Sequence, residues 1–557
     1  MNLWLPQSVI ALRSYDLKTF GSDLVAGLTV GLVALPLAMA FAISSGVPPQ
    51  AGLYTAVVAG FLISALGGSM VQVGGPTGAF VVIVFGIIQK YGLSALGLCS
   101  LMAGVLLVLL GVTGMGTAVK FIPRPVVVGF TNGIALLIAS TQIKDFLGLK
   151  IDQVPAEFFA RAESLAMHFN TLSIPATLVA AGSLAVLLIC MNFMKRVPGA
   201  IAAMVLGTAV VYSFGLPVET IGTRFGGIPS GGLPKLQIPS FQWAQLLPLL
   251  SPALTIAMLG AIESLMSATV GDRMTGDKHN PNMELIAQGI ANIASPLFGG
   301  LPATGAIART ATNIRSGGKT PVAGMLHALT LLLILIVAAP LAGYIPLSVL
   351  AAILLVVAWN MGEWREIPQL LKLTKSDITV WIVTFALTVF ADLTVAVEFG
   401  MILAALLFIQ KVTVTTTVSR VTRDYVKHGR AHILQDKYLP DFAAIFRIHG
   451  PFLFGSTDKL SEVFARFEEL PPIVILRLRN MTAIDATGLQ AIEDLADRLQ
   501  ASGRALILCG AREQPTRLMH KAEFERHVGR ANLCANIEEA LRRADVMHHA
   551  PEAHAPA

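Results

Sequence analysis

The chain has 557 residues, 54% of them hydrophobic and only 13% charged, with a mean hydropathy of +0.69 and a formal net charge of +6. Soluble proteins carry about 25% charged residues, so the composition excludes an ordinary soluble enzyme, and a modest charge without a dense Lys/Arg run argues against a nucleic-acid partner. The charge is also unevenly placed: half of the Asp, Glu, Lys and Arg residues lie in 1–418 and half in 419–557, which predicts a membrane domain over 1–418, a soluble domain over 430–545 and a disordered tail over 546–557.

The opening residues, MNLWLPQSVIALRSYDLKTF, lack an A-x-A-like cleavage site and are not read as a signal peptide. Apolar stretches of about 20 residues, the length that crosses a bilayer, follow at 24–43, 49–66, 93–117, 124–142, 173–193, 198–215, 248–270, 320–342, 345–361, 377–391 and 393–411. Segments 76–90 and 304–316 are too short and Gly-rich to cross alone, and a weaker span covers 284–299. The total is fourteen. With the N-terminus inside, the inner loops carry Lys120 and Arg124, Lys195 and Arg196, Arg273 and Lys278, Arg315 and Lys319, then Arg365, Lys372 and Lys375, while the short outer loops near 44–48, 300–303, 343–344 and 392 carry none and outer Lys/Arg fall at Lys90 and in the long loops 143–172 and 216–247. This positive-inside pattern puts the C-terminal domain in the cytoplasm and the protein in a bacterial-type inner membrane. Cys99, Cys190, Cys509 and Cys534 form no CxxC pair or Cys/His cluster, so neither a disulfide framework nor a metal site is expected.

A weak internal repeat aligns Ala34–Met39 with Ala261–Met266, and Thr77-Gly78-Ala79 with Thr304-Gly305-Ala306. The second match joins the two Gly-interrupted segments, and paired broken helices in inverted halves are the best sequence pointer to a transporter's binding site. Each of these segments starts a helix, exposing N–H groups and the positive end of a dipole, which suits an anion. Charge inside apolar segments is rare and informative. Glu263 lies deep in the eighth span and Arg309 on the second broken helix. They are read either as a buried structural ion pair or as working groups, Arg309 offering charge to an anion and Glu263 binding a proton or cation. Glu398, in the last span, is read as facing a neighbouring span, and Asn132, Asn292 and Asn313 as helix-packing hydrogen bonders. The charged stretch Asp272–His279 is an inner loop without metal-ligand spacing.

From about 440 the pattern becomes strands near 442–449, 473–478 and 505–509, alternating with helices near 456–469, 486–501 and 536–544. This order implies a parallel or mixed sheet covered by helices. With no GxGxxG and no P-loop, a nucleotide enzyme is not supported.

Pro36 followed by Ala38-Met-Ala-Phe41, then Val47-Pro-Pro-Gln-Ala-Gly-Leu-Tyr54, resembles the first-span signature of the sulfate permease (SulP) family, the anion-transporter family of prestin and pendrin. Asn282-Met-Glu284 through Gly299–Thr310 is similar to that family's segment around the tenth span, and Ile484-Asp-Ala-Thr-Gly488 to the loop of its C-terminal STAS domain. The resemblance covers about residues 15–545. It implies an α-helical polytopic membrane protein of seven plus seven inverted spans, divided into core and gate, usually homodimeric and closed by a small α/β domain that offers a cytoplasmic protein partner a surface. It also implies an anion held between the third and tenth half-helices. Carried over by motif, Thr77, Gly78 and Ala79 supply one start, Ala306, Ile307 and Ala308 the other, with Arg309 as the tenth-span arginine, Phe41 as the bordering aromatic and Glu263 as the proton-coupling carboxylate. Thr487 occupies the place that is a regulatory phosphorylation site in stand-alone STAS proteins; the plainer reading is a helix N-cap.

The expectation is therefore a secondary transporter of a small anion such as sulfate, bicarbonate or a dicarboxylate, coupled to a proton, with no resident cofactor and no enzymatic activity. The alternatives are a sodium-coupled bicarbonate importer, for which the family favours aspartate rather than glutamate at the eighth-span position, an anion or nucleobase carrier of the uracil-permease fold, and a membrane-tethered signalling protein whose STAS domain is the active part.

Overall fold

The computed structural model describes residues 4–117, 123–152, 154–194, 197–228, 236, 243–391, 393–421, 440–464 and 469–549. Lys120, Lys195, Arg196, residues 550–557 and the side chain of Glu398 lie outside the described residues. The chain divides into two compact units, 1–402 and 403–557.

Among the described residues, fourteen helices correspond in order to the expected segments, with shorter helices between some of them: α1 (Leu17–Ser44), α2 (Pro49–Leu66), α3 (Gly78–Tyr91), α4 (Leu93–Val112), α5 (Arg124–Leu147), α6 (Ile174–Asn192), α7 (Gly199–Phe214), α8 (Trp243–Thr275), α9 (Pro281–Leu297), α10 (Ile307–Arg315), α11 (Pro321–Ala342), α12 (Leu347–Met361), α13 (Lys375–Phe390) and α14 (Leu393–Thr415), the last crossing the junction between the units. Eight of the described helices are long and apolar enough to cross a membrane. Their starts are written locally. Asp16 caps α1 by accepting from Thr19 N, Asn280 caps α9, Thr320 caps α11 and Thr374 caps α13, while Pro occupies the first turn of α2, α5, α6, α9 and α11, where its missing N–H costs nothing.

Within the first unit the helices pack in two groups. α1, α2, α4, α8, α9 and α11 pack mainly on one another, as do α5, α6, α7, α12 and α13. Small residues let the first group close up. A Cβ at Gly104 of α4 would lie 2.7 Å from the Gly289 carbonyl oxygen of α9, and one at Gly289 would lie 2.6 Å from the Gly104 oxygen. Gly27 and Gly31, one turn apart on α1, meet α11 in the same way. Buried polar groups lock the helix ends. Asp23 accepts from Tyr15 Oη and from the Lys319 and Thr320 amides, and Glu284 accepts from Gly68 N and Gln288 Nε2, each at 2.9 Å.

In the second unit, β3 (Thr417–Arg420), β4 (Ala443–Phe452), β5 (Ile473–Ile484), β6 (Ala505–Cys509) and β7 (Leu533–Cys534) form one sheet in that order, β3 antiparallel and the rest parallel. Alternation sends Phe446, Ile448, Val474, Leu476, Leu506 and Leu508 to a core beneath α15 (Asp458–Val463), α16 (Ala486–Ala501) and α17 (Glu513–Lys521). Ile445, Ile473, Ile475 and Ile507 face α18 (Ile537–His549) instead. The N-cap of α16 is Asp485, not Thr487: Asp485 Oδ1 accepts from Gly488 N at 2.8 Å and Oδ2 from Phe454 N at 3.0 Å. A carboxylate two residues earlier holds both amides, which leaves Thr487 exposed on the first turn of α16.

Candidate functional site

The two half-helices α3 and α10 begin where two unwound segments cross. There β1 (Gly74–Gly75) pairs antiparallel with β2 (Thr304–Gly305), Gly74 opposite Gly305 and Gly75 opposite Thr304. Antiparallel pairing is what two halves of opposite topology produce when their broken segments meet. The crossing admits only glycine at key points. Gly75 has a φ of +146°, and a Cβ there would run into the Arg309 guanidinium, while a Cβ at Gly305 would overlap the Gln72 amide. Neighbouring helices lace it in place. On α8, Gly260 O accepts from Thr304 Oγ1 at 3.0 Å, Ser264 O accepts from Gln72 Nε2 at 3.0 Å, and Ser267 shares a 3.0 Å hydrogen bond with Thr310. These residues recur at helical spacing, so one face of α8 carries the crossing. Asn292 donates to Ala303 O at 2.7 Å and accepts from Ala303 N at 2.9 Å, and Asn313 donates to Val71 O at 2.8 Å. The buried asparagines thus hold backbone at the crossing, and Asn132 accepts from Trp381 Nε1 at 3.1 Å elsewhere.

Thr77 and Ala306 are the residues preceding the two helices, and neither caps its own helix through a side chain. The first N–H groups of a helix have no intrahelical partner, so both starts offer donors together with the positive ends of their dipoles. The aligned threonines are not equivalent in space: Thr77 stands at the start of α3, whereas Thr304 lies in β2, two residues before Ala306. Thr77 Oγ1 donates to Glu263 Oε2 at 2.9 Å, bringing the half-buried α8 carboxylate to the mouth of α3. Ala79 and Ala306 are buried, while Ile307 and Ala308 are exposed, so α10 turns part of its first turn to open space. Phe41 of α1 stands at the other start: a Cβ on Gly78 would lie 3.3 Å from the Phe41 ring, 3.3 Å from Ile138 of α5 and 2.6 Å from the Met361 sulfur of α12. Ile138 and Met361 are apolar side chains within apolar helices, and nothing in the sequence marks them.

Arg309 is 2% exposed. Its guanidinium donates to Gly74 O at 3.4 Å and to Pro76 O at 3.0 Å, bracing the segment that leads into α3. Among the described residues no ion pair joins Arg309 to Glu263, so their pairing is not what the chain adopts: each is drawn to a different partner on the α3 approach. The Asp272–His279 stretch closes on itself, His279 Nδ1 lying 2.7 Å from Asp272 Oδ2.

A model of the sulfate permease family matches residues 20–384, and one of the STAS domain matches residues 436–540. The chain is 42% identical over 529 residues to the putative sulfate transporter YvdB of Bacillus subtilis (strain 168), covering 95% of this chain and 98% of that protein. It is 30% identical over 551 residues to the bicarbonate transporter BicA of Synechocystis sp. (strain ATCC 27184 / PCC 6803 / Kazusa), covering 95% and 94%. Among solved structures, the transmembrane domain of a cyanobacterium bicarbonate transporter BicA superposes with a TM-score of 0.62 at 32% identity, over 70% of this chain and 98% of that one. The structure of SLC26A9 superposes with a TM-score of 0.87 over 98% and 93%, and at 19% identity speaks for the fold alone.

Proposed function

The chain belongs to the sulfate permease family and is a multi-pass membrane transporter of anions rather than an enzyme; from that premise we propose that it is a proton-coupled symporter of a small oxyanion, sulfate first, held between the starts of α3 and α10. The observation that carries this reading is the hydrogen bond from Thr77 to Glu263, which sets a carboxylate at one of two helix starts left uncapped by side chains. An anion at those starts takes hydrogen bonds from the first amides of α3 and α10, and the Arg309 charge behind β1 adds to the field. Ionised Glu263 occupies the same field. Two like charges about 4 Å apart at an effective dielectric of 20 repel by about 4 kcal/mol, roughly a thousandfold in affinity. Protonation removes that repulsion, so anion and proton enter together and leave together. Phe41, Ile138 and Met361 supply an apolar wall.

Bicarbonate is the second substrate reading, supported by the likeness to the BicA transporters. In this reading the protein is a homodimer, as the family resemblance implies, in a bacterial inner membrane; the Lys/Arg distribution of the loops supports a cytoplasmic STAS domain. Thr487, exposed on α16, is the candidate modification site there.

The test is uptake of labelled sulfate and bicarbonate into proteoliposomes under an imposed inward proton or sodium gradient, for wild type and Glu263→Gln. The expected result is stimulation by the proton gradient in wild type and a clearly weaker stimulation in Glu263→Gln, which retains anion exchange. Equal stimulation in both proteins, or stimulation by sodium alone, overturns the proton-coupled reading.

A further inference from the structure

His327 of α11 is fully buried, and neither ring nitrogen meets a hydrogen-bond partner among the described residues. The Gly324 carbonyl, one turn back, lies beside the ring but outside good hydrogen-bonding geometry. A buried polar group left without a partner costs free energy, and an apolar residue would fill the same volume, so its presence asks for a role. The surroundings supply one. α1 approaches α11 closely enough that a Cβ on Gly27 would lie 3.1 Å from His327 N. On the α2 side a Cβ on Gly60 would lie 3.5 Å from His327 Cε1 and 3.1 Å from Gly74 O. That same Gly74 oxygen accepts from Arg309. Imidazole, β1 and guanidinium therefore sit in one contiguous layer behind the start of α3.

Few other charges face this layer. On α1 the titratable groups are Lys18 and Asp23, near its first turns, with Asp23 already held by Tyr15, Lys319 N and Thr320. On α2 there is Tyr54, and the short helix Gln7–Leu12 that also touches α11 carries none. Arg309, which donates to the Gly74 oxygen, is the charged group that shares this layer with His327.

We propose that His327 is a second proton-accepting group of the transport site, linked to the bound anion through Arg309. This rests on the reading that the anion binds beside Arg309. With the site empty, the guanidinium opposes a second positive charge next to it, and the imidazole is neutral. An anion at the helix starts offsets that field, and a proton from water then adds to the free lone pair of the ring. When the anion leaves, the field returns and the proton is released to water. Linkage makes the effect reciprocal: whatever anion binding does for the proton, the proton does for the anion.

The experiment is calorimetric titration of the purified full-length protein with sulfate, in buffers of different ionisation enthalpy, which reads the protons taken up per anion. Sulfate itself does not titrate between about pH 5 and 8, the range in which histidine changes charge. The expected result is that Glu263→Gln still takes up protons on binding sulfate and that Glu263→Gln/His327→Gln does not. Equal uptake by those two variants overturns the proposal. Should uptake be unchanged between wild type and Glu263→Gln yet lost in His327→Gln, the Glu263 reading fails while this one stands. A second measurement leaves His327 untouched: in Glu263→Gln the sulfate Kd should rise with pH, by up to about tenfold per unit, and a pH-independent Kd overturns the proposal.

Discussion

At the scale of single residues, Arg309 and Glu263 show how far a buried charge can be understood before its partners are seen. A charge in an apolar segment signals function, and both residues do stand at the crossing. Their partners are another matter: Arg309 reaches Pro76, 233 residues away in the chain, and Glu263 reaches Thr77, 186 residues away. The Arg309 guanidinium is spent on two backbone carbonyls, so in the proposed reading it serves the anion through its field and through the placement of α3. Arg309→Ala removes both. The expected outcome is at least a tenfold weaker sulfate Kd, about 1.4 kcal/mol, in a protein that still elutes as a single folded species. Arg309→Lys keeps the charge without the two-point brace and should fall between the two. Unchanged affinity in Arg309→Ala would remove it from the site. Thr487 teaches the converse lesson. Threonine suits a helix N-cap, but Asp485 already holds the Gly488 amide, leaving the threonine hydroxyl exposed.

Among the elements, the half-helices α3 and α10 were visible as short, Gly-interrupted apolar segments, but their equivalence was not. Matching Thr77 to Thr304 aligns a residue at a helix start with a strand residue, because small residues recur by chance in membrane segments and cannot fix register. The helix–helix seams depend on glycines too, and the α4–α9 seam offers a test. Gly289→Leu would drive a side chain into the Gly104 carbonyl. Overpacking of this kind costs about 1–3 kcal/mol or more, so the thermal unfolding midpoint in detergent should fall clearly. Gly182→Leu on α6, where a Cβ meets nothing within 4 Å, is the control and should leave the midpoint unchanged. In the second unit, β4, β5 and β6 announce themselves by apolar runs, whereas β3 and β7, of four and two residues, carry too little pattern to stand out.

For the whole molecule, the two units carry separate cores. The large core that surrounds the crossing is drawn entirely from residues before 402, and both cores of the STAS sheet from residues after 403. Every residue named in the candidate site lies in the first unit. Deleting residues 430–557 should therefore leave the sulfate Kd within about threefold of wild type, a difference below about 1 kcal/mol, even where expression or transport rate falls. Loss of binding in a well-folded truncated protein would mean that the site draws on the STAS domain. The division into a membrane part and a charged tail, the fourteen segments and the two broken helices were all legible in the chain itself, because each expresses a local quantity: the transfer free energy of about 20 residues, the fixed φ of proline, the freedom of glycine. What the tertiary structure alone decided is which atoms meet. The Thr77–Glu263 contact, the carbonyls that hold Arg309, the buried His327 behind Gly74 and the apolar wall of Phe41, Ile138 and Met361 all join segments far apart in sequence. Such pairings follow from how the two halves cross, a global property that hydropathy and spacing do not encode.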